Sequence, residues 1–254
     1  MTGDFAPDLT DDGFFGGRLK LLQPARGHRV GTDAALLTAA ALGRMGTDAR
    51  VADFGAGVGA VGLSLAIAGA AHATLVEIEP AAAALARDNA GRNGLQGRVD
   101  VTLADVAEVG RVVGPAPDTL DLVAANPPFD DAGRFRASPD AARARAHAAE
   151  AGLVELWTRA AARLLKPGGV FVMIHRPEAI GEIVAACAGR FGDLRLRPVH
   201  PRADAPALRL LVAATKGRRG PLALLPGFVL HGSDGGFTPE AVEVQRGRAT
   251  IAMG

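Results

Sequence analysis

Short β-type runs alternate with alanine-rich helical runs along the chain from residue 50 to about residue 215. This alternation predicts a mostly parallel sheet covered by helices, because each parallel strand needs a crossover before the next one begins. We therefore predict an α/β fold, a doubly wound sheet of seven strands. The predicted strands cover residues 50–54, 73–77, 99–103, 120–125, 170–175, 194–199 and 208–215, and the predicted helices cover 60–69, 80–93, 149–165 and 178–190.

The last two predicted strands are separated only by residues 201–207. This segment is too short for a crossover helix, so we expect an antiparallel hairpin at the edge of the sheet. A chain of 254 residues is near the upper size for one hydrophobic core. We expect a single domain over residues 1–254, with an N-terminal arm (1–49) and a C-terminal tail (216–254) as appendages, and residues 130–146 also lie outside the alternation.

Charge and cysteine content restrict the possible functions. The 28 basic and 27 acidic residues give a net charge of +1, so any surface that binds nucleic acid must be local. Cys187 is the only cysteine, which excludes an intramolecular disulfide and a cysteine-based zinc site, and we expect it on a buried helix face. We predict no metal site. The start of the chain lacks the positive charge of a secretory signal, and no apolar run is long enough to cross a bilayer, so we expect a cytoplasmic protein.

A glycine-rich turn follows the strand predicted at residues 50–54 and leads into a helix. Glycine at positions such as Gly55 and Gly57 lets the backbone pass close beneath a ligand, and the following helix offers unpaired N–H groups. Open parallel sheets bind ligands at this place, beyond the carboxyl ends of the strands. The turn therefore predicts a cofactor site.

Three carboxylates, Asp53, Glu77 and Asp105, fall at the ends of three successive predicted strands. Glu77 is placed to accept hydrogen bonds from both hydroxyls of a ribose, and Asp105 from an adenine amino group. Each acid alone is more readily explained as a helix cap or a solvated group, but with the glycine turn they indicate an adenosine cofactor. The glycines at 57, 59 and 62 also fit the dinucleotide pattern, so a nicotinamide cofactor is a competing interpretation.

The fourth predicted strand, residues 120–125, leads directly into Asn126-Pro127-Pro128-Phe129, which we interpret as the catalytic motif. The prolines remove two backbone donors and fix the chain, so carbonyl groups are expected to point rigidly outward from the strand end. The Asn126 side-chain oxygen and the Pro127 carbonyl can each accept one hydrogen of a conjugated NH2 group and turn its lone pair toward an electrophile. Phe129 offers a face on which a flat base can stack. A nicotinamide enzyme would have no use for such an array of acceptors.

The pattern formed by Asp53, Gly55, Gly57, Glu77 and Asp105 resembles the S-adenosylmethionine site of class I methyltransferases, over about residues 50–215. The resemblance implies a Rossmann-like fold with S-adenosylmethionine as the cofactor and with these five residues and Asn126 around it. It implies that Gly55 and Gly57 pass under the methionine part, that Glu77 holds the ribose and that Asp105 contacts the adenine. Several such families that methylate planar nitrogens share the motif [Asn/Asp/Ser]-Pro-Pro-[Tyr/Phe].

Both ends of the chain resemble one group of these enzymes. Residues 29–37 and the tail segments 230–234 and 237–241 are similar to bacterial adenine-N6 methyltransferases that modify valine tRNA beside the anticodon. The resemblance implies methyl transfer to N6 of adenine in tRNA, with Phe129 in place of the usual tyrosine. Protein glutamine-N5 and ribosomal RNA guanine-N2 methyltransferases share the catalytic motif and are the alternatives, but both commonly have larger N-terminal parts. An RNA-binding module without catalysis is a third, disfavoured by the intact Asn126 and Pro127.

The same resemblance implies that Thr32 and Asp33 lie near the mouth of the cofactor site. An equally acceptable interpretation of Asp33 is an N-cap for a helix that begins at Ala34. For the tRNA partner, the sequence offers local clusters of basic residues that could bind phosphates. The cluster after the catalytic motif contains Arg134, Arg136, Arg143 and Arg145.

Overall fold

A computed structural model describes residues 8–27, 29–128 and 139–254, and of residues 139–151 it describes the backbone. The strands are β1 (Leu9–Phe14), β2 (Leu19–Pro24), β3 (Arg50–Phe54), β4 (His72–Glu77), β5 (Val99–Leu103), β6 (Leu120–Ala125), β7 (Leu165–His175), β8 (Phe191–His200), β9 (Arg209–Lys216), β10 (Ala223–Leu224) and β11 (Phe228–Val229). The helices are α1 (Thr32–Leu42), α2 (Ala60–Ile67), α3 (Pro80–Arg92), α4 (Pro139–Leu164), α5 (Ile180–Cys187) and α6 (Pro239–Gln245).

The central sheet has the order β10-β8-β9-β7-β6-β3-β4-β5, with β11 also paired to β8. Strands β5, β4, β3, β6 and β7 run parallel, whereas β9 runs antiparallel to both β7 and β8. The predicted α/β class with a mostly parallel sheet is therefore confirmed, as is the antiparallel pairing of the last two long strands. All carboxyl ends of the parallel strands lie at one edge of the sheet, which we call the carboxyl edge.

The sheet differs from the prediction at its outer side. Strands β10 and β11 pair in parallel with β8, so among the described residues the sheet has nine strands and the hairpin of β8 and β9 is not its edge. Each added strand has two residues, which is too short to show an alternating pattern. Helix α4 also begins ten residues earlier than predicted, at Pro139. Its first turns are rich in alanine and arginine, which favour helix without marking a buried face.

The N-terminal arm contains a hairpin that the sequence did not predict and a helix that begins two residues before Ala34, the start considered for it. Strands β1 and β2 form a separate antiparallel hairpin, paired from Leu9 with Pro24 to Phe14 with Leu19. Helix α1 follows and begins at Thr32, with Gly31 as its N-cap. The interpretation of Asp33 as an N-cap is therefore wrong, because glycine supplies the extended residue before the helix and Asp33 already lies in the first turn.

Two buried clusters cover the two faces of the sheet, as a doubly wound fold requires. Val51 and Val172 point to one face and pack with α1, α2 and α3. Ala52 and Phe171 point to the other and pack with α4 and α5. Cys187 lies in the second cluster at 3% exposure, and burial raises the pKa of its thiol to about 12, which agrees with the predicted buried position.

Among the described helices, none has both the length and the apolar character needed to span a membrane.

Candidate active site

The predicted site residues meet at the carboxyl edge because neighbouring parallel strands end in register. Phe54 pairs with Val76 on one side and with Ala125 on the other, and Glu77 pairs with Leu103. The segments that follow β3, β4, β5 and β6 therefore lie next to one another. They carry the glycine turn, Glu77, Asp105 and Asn126.

The glycine turn needs its glycines for two different reasons. Gly55 and Gly57 adopt φ values of 65° and 56°, which residues with a side chain rarely accept. A Cβ at Gly55 would lie 2.6 Å from Cη2 of Trp157 on α4, so a ring packs directly against this residue. A Cβ at Gly57 would meet no atom of the described part of the chain within 4 Å. The space above Gly57 is open, as a turn that passes beneath a ligand requires.

Glu77 joins the end of β4 to this turn. Its Oε2 accepts a hydrogen bond from the Gly57 N–H at 2.7 Å, and its Oε1 accepts one from the Glu79 N–H at 2.8 Å. The residue is 7% exposed. A carboxylate has about four lone-pair positions, so two acceptor positions are left for the hydroxyls of a ribose.

Asp53 lies beneath the turn rather than on its open side. It is 2% exposed, and its Oδ2 accepts a hydrogen bond from the Gly62 N–H in the first turn of α2 at 2.8 Å. Burial, opposed by this hydrogen bond and assisted by the charge of Glu77, raises the pKa of Asp53 to about 7. The bond gives Asp53 a part in positioning α2 against the turn, and its contact with a cofactor stays a prediction.

Asp105 and two exposed apolar side chains lie at the ends of β4 and β5, at the same edge of the sheet. Asp105 is exposed, and its Oδ1 accepts a hydrogen bond from the Ala107 N–H at 2.8 Å. Ile78 and Leu103, which flank the ends of β4 and β5, are 58% and 47% exposed. The sequence analysis missed both. An isoleucine set between Glu77 and Glu79 just beyond a strand end was the available signal, because exposed apolar residues at a site favour a flat apolar ligand.

Asn126 directly follows β6, and the structure leaves its acceptor unused. Its Oδ1 is buried and accepts no hydrogen bond from any described residue. Leaving such an acceptor without a donor costs about 1–3 kcal/mol, so it suits a group reserved for a substrate. Pro127 is buried and Pro128 is exposed. Phe129 lies outside the described residues, and its stacking role stays a prediction.

Comparison with known proteins assigns the family. Residues 30–187 match the family model described as Methyltransferase small domain. The chain belongs to this family. It is a class I methyltransferase that depends on S-adenosylmethionine, and the nicotinamide interpretation is set aside.

Individual relatives of this methyltransferase carry more specific names. A tRNA1(Val) (adenine(37)-N6)-methyltransferase from Musicola paradisiaca is 29% identical over 219 residues, which are 85% of this chain and 86% of that protein. The protein of the same name from Serratia proteamaculans is 33% identical over 193 residues, 74% of this chain and 71% of that one. A solved structure described as a predicted O-methyltransferase from Agrobacterium tumefaciens has a TM-score of 0.70 and 31% identity, and the match covers 86% of this chain and 98% of that chain.

The remaining predicted residues of the methyltransferase fall into two groups. Thr32 and Asp33 lie in the first turn of α1, and Asp33 Oδ2 pairs with Arg209 Nε at 2.8 Å. Since Arg209 begins β9 and Leu210 pairs with His175 at the end of β7, this ion pair lies at the carboxyl edge. The second group carries the predicted phosphate contacts. Arg134 and Arg136 lie outside the described residues, as do the side chains of Arg143 and Arg145.

The raised pKa of Asp53 predicts a pH-dependent stability. Between about pH 4 and pH 7 the folded enzyme keeps a proton on Asp53 that the unfolded chain has lost. The free energy of unfolding therefore falls as the pH rises, by up to about 1.4 kcal/mol per pH unit from this group. Asp53→Asn keeps an acceptor for Gly62 but cannot titrate, so it should be the more stable protein at pH 8, and its advantage should vanish toward pH 4.

Urea unfolding of both proteins at several pH values, followed by the fluorescence of Trp157, measures this difference. Trp157 is the only tryptophan, so the signal comes from a single site. All other titrating groups are common to the two proteins and cancel in the comparison. Stability profiles that run parallel from pH 4 to pH 8 would contradict the raised pKa.

Proposed function

We propose that this methyltransferase transfers the methyl group of S-adenosylmethionine to N6 of an adenine in tRNA, at position 37 of a valine tRNA. The observation that carries the proposal is the buried, unpartnered Oδ1 of Asn126 at the end of β6, beside the open glycine turn. The names of the tRNA relatives, which match over most of both chains, supply the particular base.

The described residues fit S-adenosylmethionine. The open space above Gly57 suits the methionine part, the unused lone pairs of Glu77 suit the ribose hydroxyls, and Asp105 suits the adenine amino group. The exposed side chains of Ile78 and Leu103 offer apolar contacts for the adenine ring. When bound, the cofactor supplies a methyl group on a positively charged sulfur, ready for attack from the opposite side.

Asn126 and Pro127 prepare the nitrogen that is methylated. The exocyclic nitrogen of adenine is a weak nucleophile because its lone pair is delocalised into the ring. Asn126 Oδ1 accepts one hydrogen of this NH2 group and the Pro127 carbonyl accepts the other, which directs the lone pair toward the methyl carbon. As the N–C bond forms and the C–S bond breaks, one N–H proton leaves to solvent. Holding the two reactants in line supplies much of the acceleration.

Two acceptors also favour nitrogen over oxygen as the methylated atom. A hydroxyl group has one hydrogen, so it would leave either Asn126 Oδ1 or the Pro127 carbonyl without a donor. An NH2 group satisfies both. For this reason we favour N-methylation, although a similar solved structure is described as a predicted O-methyltransferase.

The tRNA reaches the site over the predicted basic cluster. We assign phosphate contacts to Arg134, Arg136, Arg143 and Arg145, with Phe129 stacking on the target base. We also propose that the reaction takes place in the cytoplasm, in keeping with a tRNA substrate. The competing substrates, a glutamine in a protein and a guanine in ribosomal RNA, also present an NH2 group, so experiment must separate them.

The test is mass spectrometry of nucleosides after incubation of the enzyme with isotopically labelled S-adenosylmethionine and a valine tRNA transcript. We expect labelled N6-methyladenosine in the transcript with adenine at position 37, and none in a transcript with guanine there. Parallel reactions with total ribosomal RNA and total protein serve as comparisons. Label found in methylguanosine, in a 2′-O-methyl group or in glutamine, together with no labelled N6-methyladenosine in the tRNA, would overturn the proposal.

A further inference from the structure

Two asparagines, Asn89 in α3 and Asn93 at the C-cap of that helix, hold the N-terminal hairpin by its backbone. Asn89 Oδ1 accepts from the Leu22 N–H at 2.7 Å, and its Nδ2 donates to the Leu22 carbonyl at 3.0 Å. Asn93 repeats this pattern with Lys20, at 2.9 and 2.8 Å. Helix residues four apart are separated by about 6 Å and strand residues two apart by about 6.7 Å, so the two amides match the repeat of the strand edge.

The two asparagines differ in their third hydrogen bond. Asn89 Nδ2 also donates to the carbonyl of Val58, inside the glycine turn, at 3.0 Å. Asn93 Nδ2 instead donates to the carbonyl of Asn89, in its own helix, at 2.7 Å. Asn89 is 0% exposed, and both of its amide hydrogens are used. Of this pair, Asn89 alone joins the hairpin to the turn.

The peptide group between Val58 and Gly59 is fixed at both of its ends. The Gly59 N–H donates to the Ala56 carbonyl at 2.9 Å, and the Val58 carbonyl receives the Asn89 amide. Val58 is 8% exposed, so solvent has little access to its carbonyl if the amide is removed. Without Asn89 the turn would lose one of the few contacts that define its shape next to Gly57.

The hairpin in turn leads to the start of α1. Gln23 follows Leu22, is 4% exposed, and accepts a hydrogen bond from the Val30 N–H at 2.9 Å through its Oε1. Its Nε2 donates to Asp12 on β1 at 2.9 Å. Hydrogen bonds therefore link the glycine turn through Asn89 to Leu22, and the neighbouring Gln23 on the same strand links to Val30, just before Thr32.

We propose that Asn89 is a positioning residue for the cofactor, which holds the glycine turn in its binding shape and couples it to the N-terminal hairpin. This inference rests on the proposed assignment of the turn to S-adenosylmethionine. Binding of the cofactor makes the turn rigid, and through Asn89 it also makes the hairpin and the approach to α1 more rigid.

The test compares Asn89→Ala with Asn93→Ala, which removes the matching bonds to the hairpin but leaves the turn intact. Loss of one hydrogen bond that orders the turn should weaken binding of S-adenosylhomocysteine about tenfold in Asn89→Ala, measured by calorimetry. The dissociation constant of the Asn93→Ala protein for S-adenosylhomocysteine should stay within about twofold of the wild-type value, because Asn93 makes no hydrogen bond to the glycine turn. In Asn89→Ala the KM for S-adenosylmethionine should rise while kcat at saturating cofactor changes little. Equal weakening in both variants, or none in Asn89→Ala, would overturn the proposal.

A second measurement needs no variant and guards against unfolding of Asn89→Ala. Hydrogen exchange of the wild-type enzyme should show stronger protection of the Lys20 and Leu22 amides when S-adenosylhomocysteine saturates the site. Exchange in the hairpin that does not respond to the ligand would refute the coupling. Calorimetry and hydrogen exchange use no RNA, so a wrong tRNA substrate would leave both of these results unchanged and would affect only the measurement of KM and kcat. A wild-type enzyme that bound no S-adenosylhomocysteine would refute the cofactor assignment and this inference together.

Discussion

Replacement of Asn126 by alanine is expected to lower kcat by about 10²–10³-fold, the usual effect of removing one preorganised hydrogen-bonding group that acts in the transition state. The side chain has an acceptor that no described residue uses, so its removal should cost the fold little. The dissociation constant for S-adenosylhomocysteine should stay within about twofold of the wild-type value, because the acceptor serves the methylated nitrogen. Single-turnover methylation of the tRNA transcript measures the chemical step directly.

Asn126→Asp is the matched control for this experiment. It has the same shape and retains an oxygen acceptor, so its kcat should lie between those of the wild type and the alanine variant. Thermal unfolding of all three proteins checks that the fold is retained. An alanine variant that methylates within about fivefold of the wild-type rate would remove Asn126 from the catalytic motif, because a lost acceptor should cost far more.

The second large effect concerns the fold around the glycine turn. Gly55→Ala should lower the free energy of unfolding by about 3 kcal/mol, since the substitution combines an unfavourable positive φ with overpacking. The new Cβ would lie 2.6 Å from Cη2 of Trp157, whose ring is itself in edge contact with Phe54 at 6.1 Å between centroids. Gly57→Ala has a similar φ, and its new Cβ would meet no described atom within 4 Å, so it should cost only about 1 kcal/mol.

The two glycine variants should therefore separate stability from binding. Gly57→Ala places a methyl group in the open space assigned to the cofactor. It should therefore weaken the binding of S-adenosylhomocysteine more than its small effect on the free energy of unfolding suggests. Adding Trp157→Phe to Gly55→Ala removes the ring atoms that clash, and urea unfolding followed by circular dichroism should show a favourable coupling of about 1 kcal/mol or more. Equal destabilisation by the two alanine substitutions would show that Trp157 does not restrict Gly55.

Much of the sheet could be predicted because its strands carry strong local signals. The observed bounds of β3, β5 and β6 match the predicted ranges, and β4 begins one residue earlier. Strands β3, β4 and β6 are mostly buried runs that end at glycine, a carboxylate or Asn-Pro-Pro, so the apolar pattern and the turn signal mark the same boundary. Strand β5 is less buried, and its β-branched residues and the Asp105 that follows it mark its position. The predicted site residues at the ends of these strands lie next to one another for the same reason, because neighbouring parallel strands end in register.

The parts that were missed depend on contacts between distant residues. Strand β1 contains Asp11 and Asp12 and has no apolar alternation, so its pairing with β2 is not visible in the sequence. Asn89 lies within a helix, where asparagine has no preferred position, and its side chain makes three hydrogen bonds to two residues that are 31 and 67 positions away in the sequence. Asp33 satisfied the rule for an N-cap, but its observed partner, Arg209, is 176 residues away.

The buried thiol of Cys187 has a practical consequence for studying this enzyme. With its pKa raised to about 12, almost none of it exists as thiolate at neutral pH, and the thiolate is the form that reacts. A cysteine introduced on the surface would therefore be the one site open to maleimide or spin-label reagents in the native protein. Probes could be attached one position at a time along the surface proposed above for tRNA binding, in the natural sequence background.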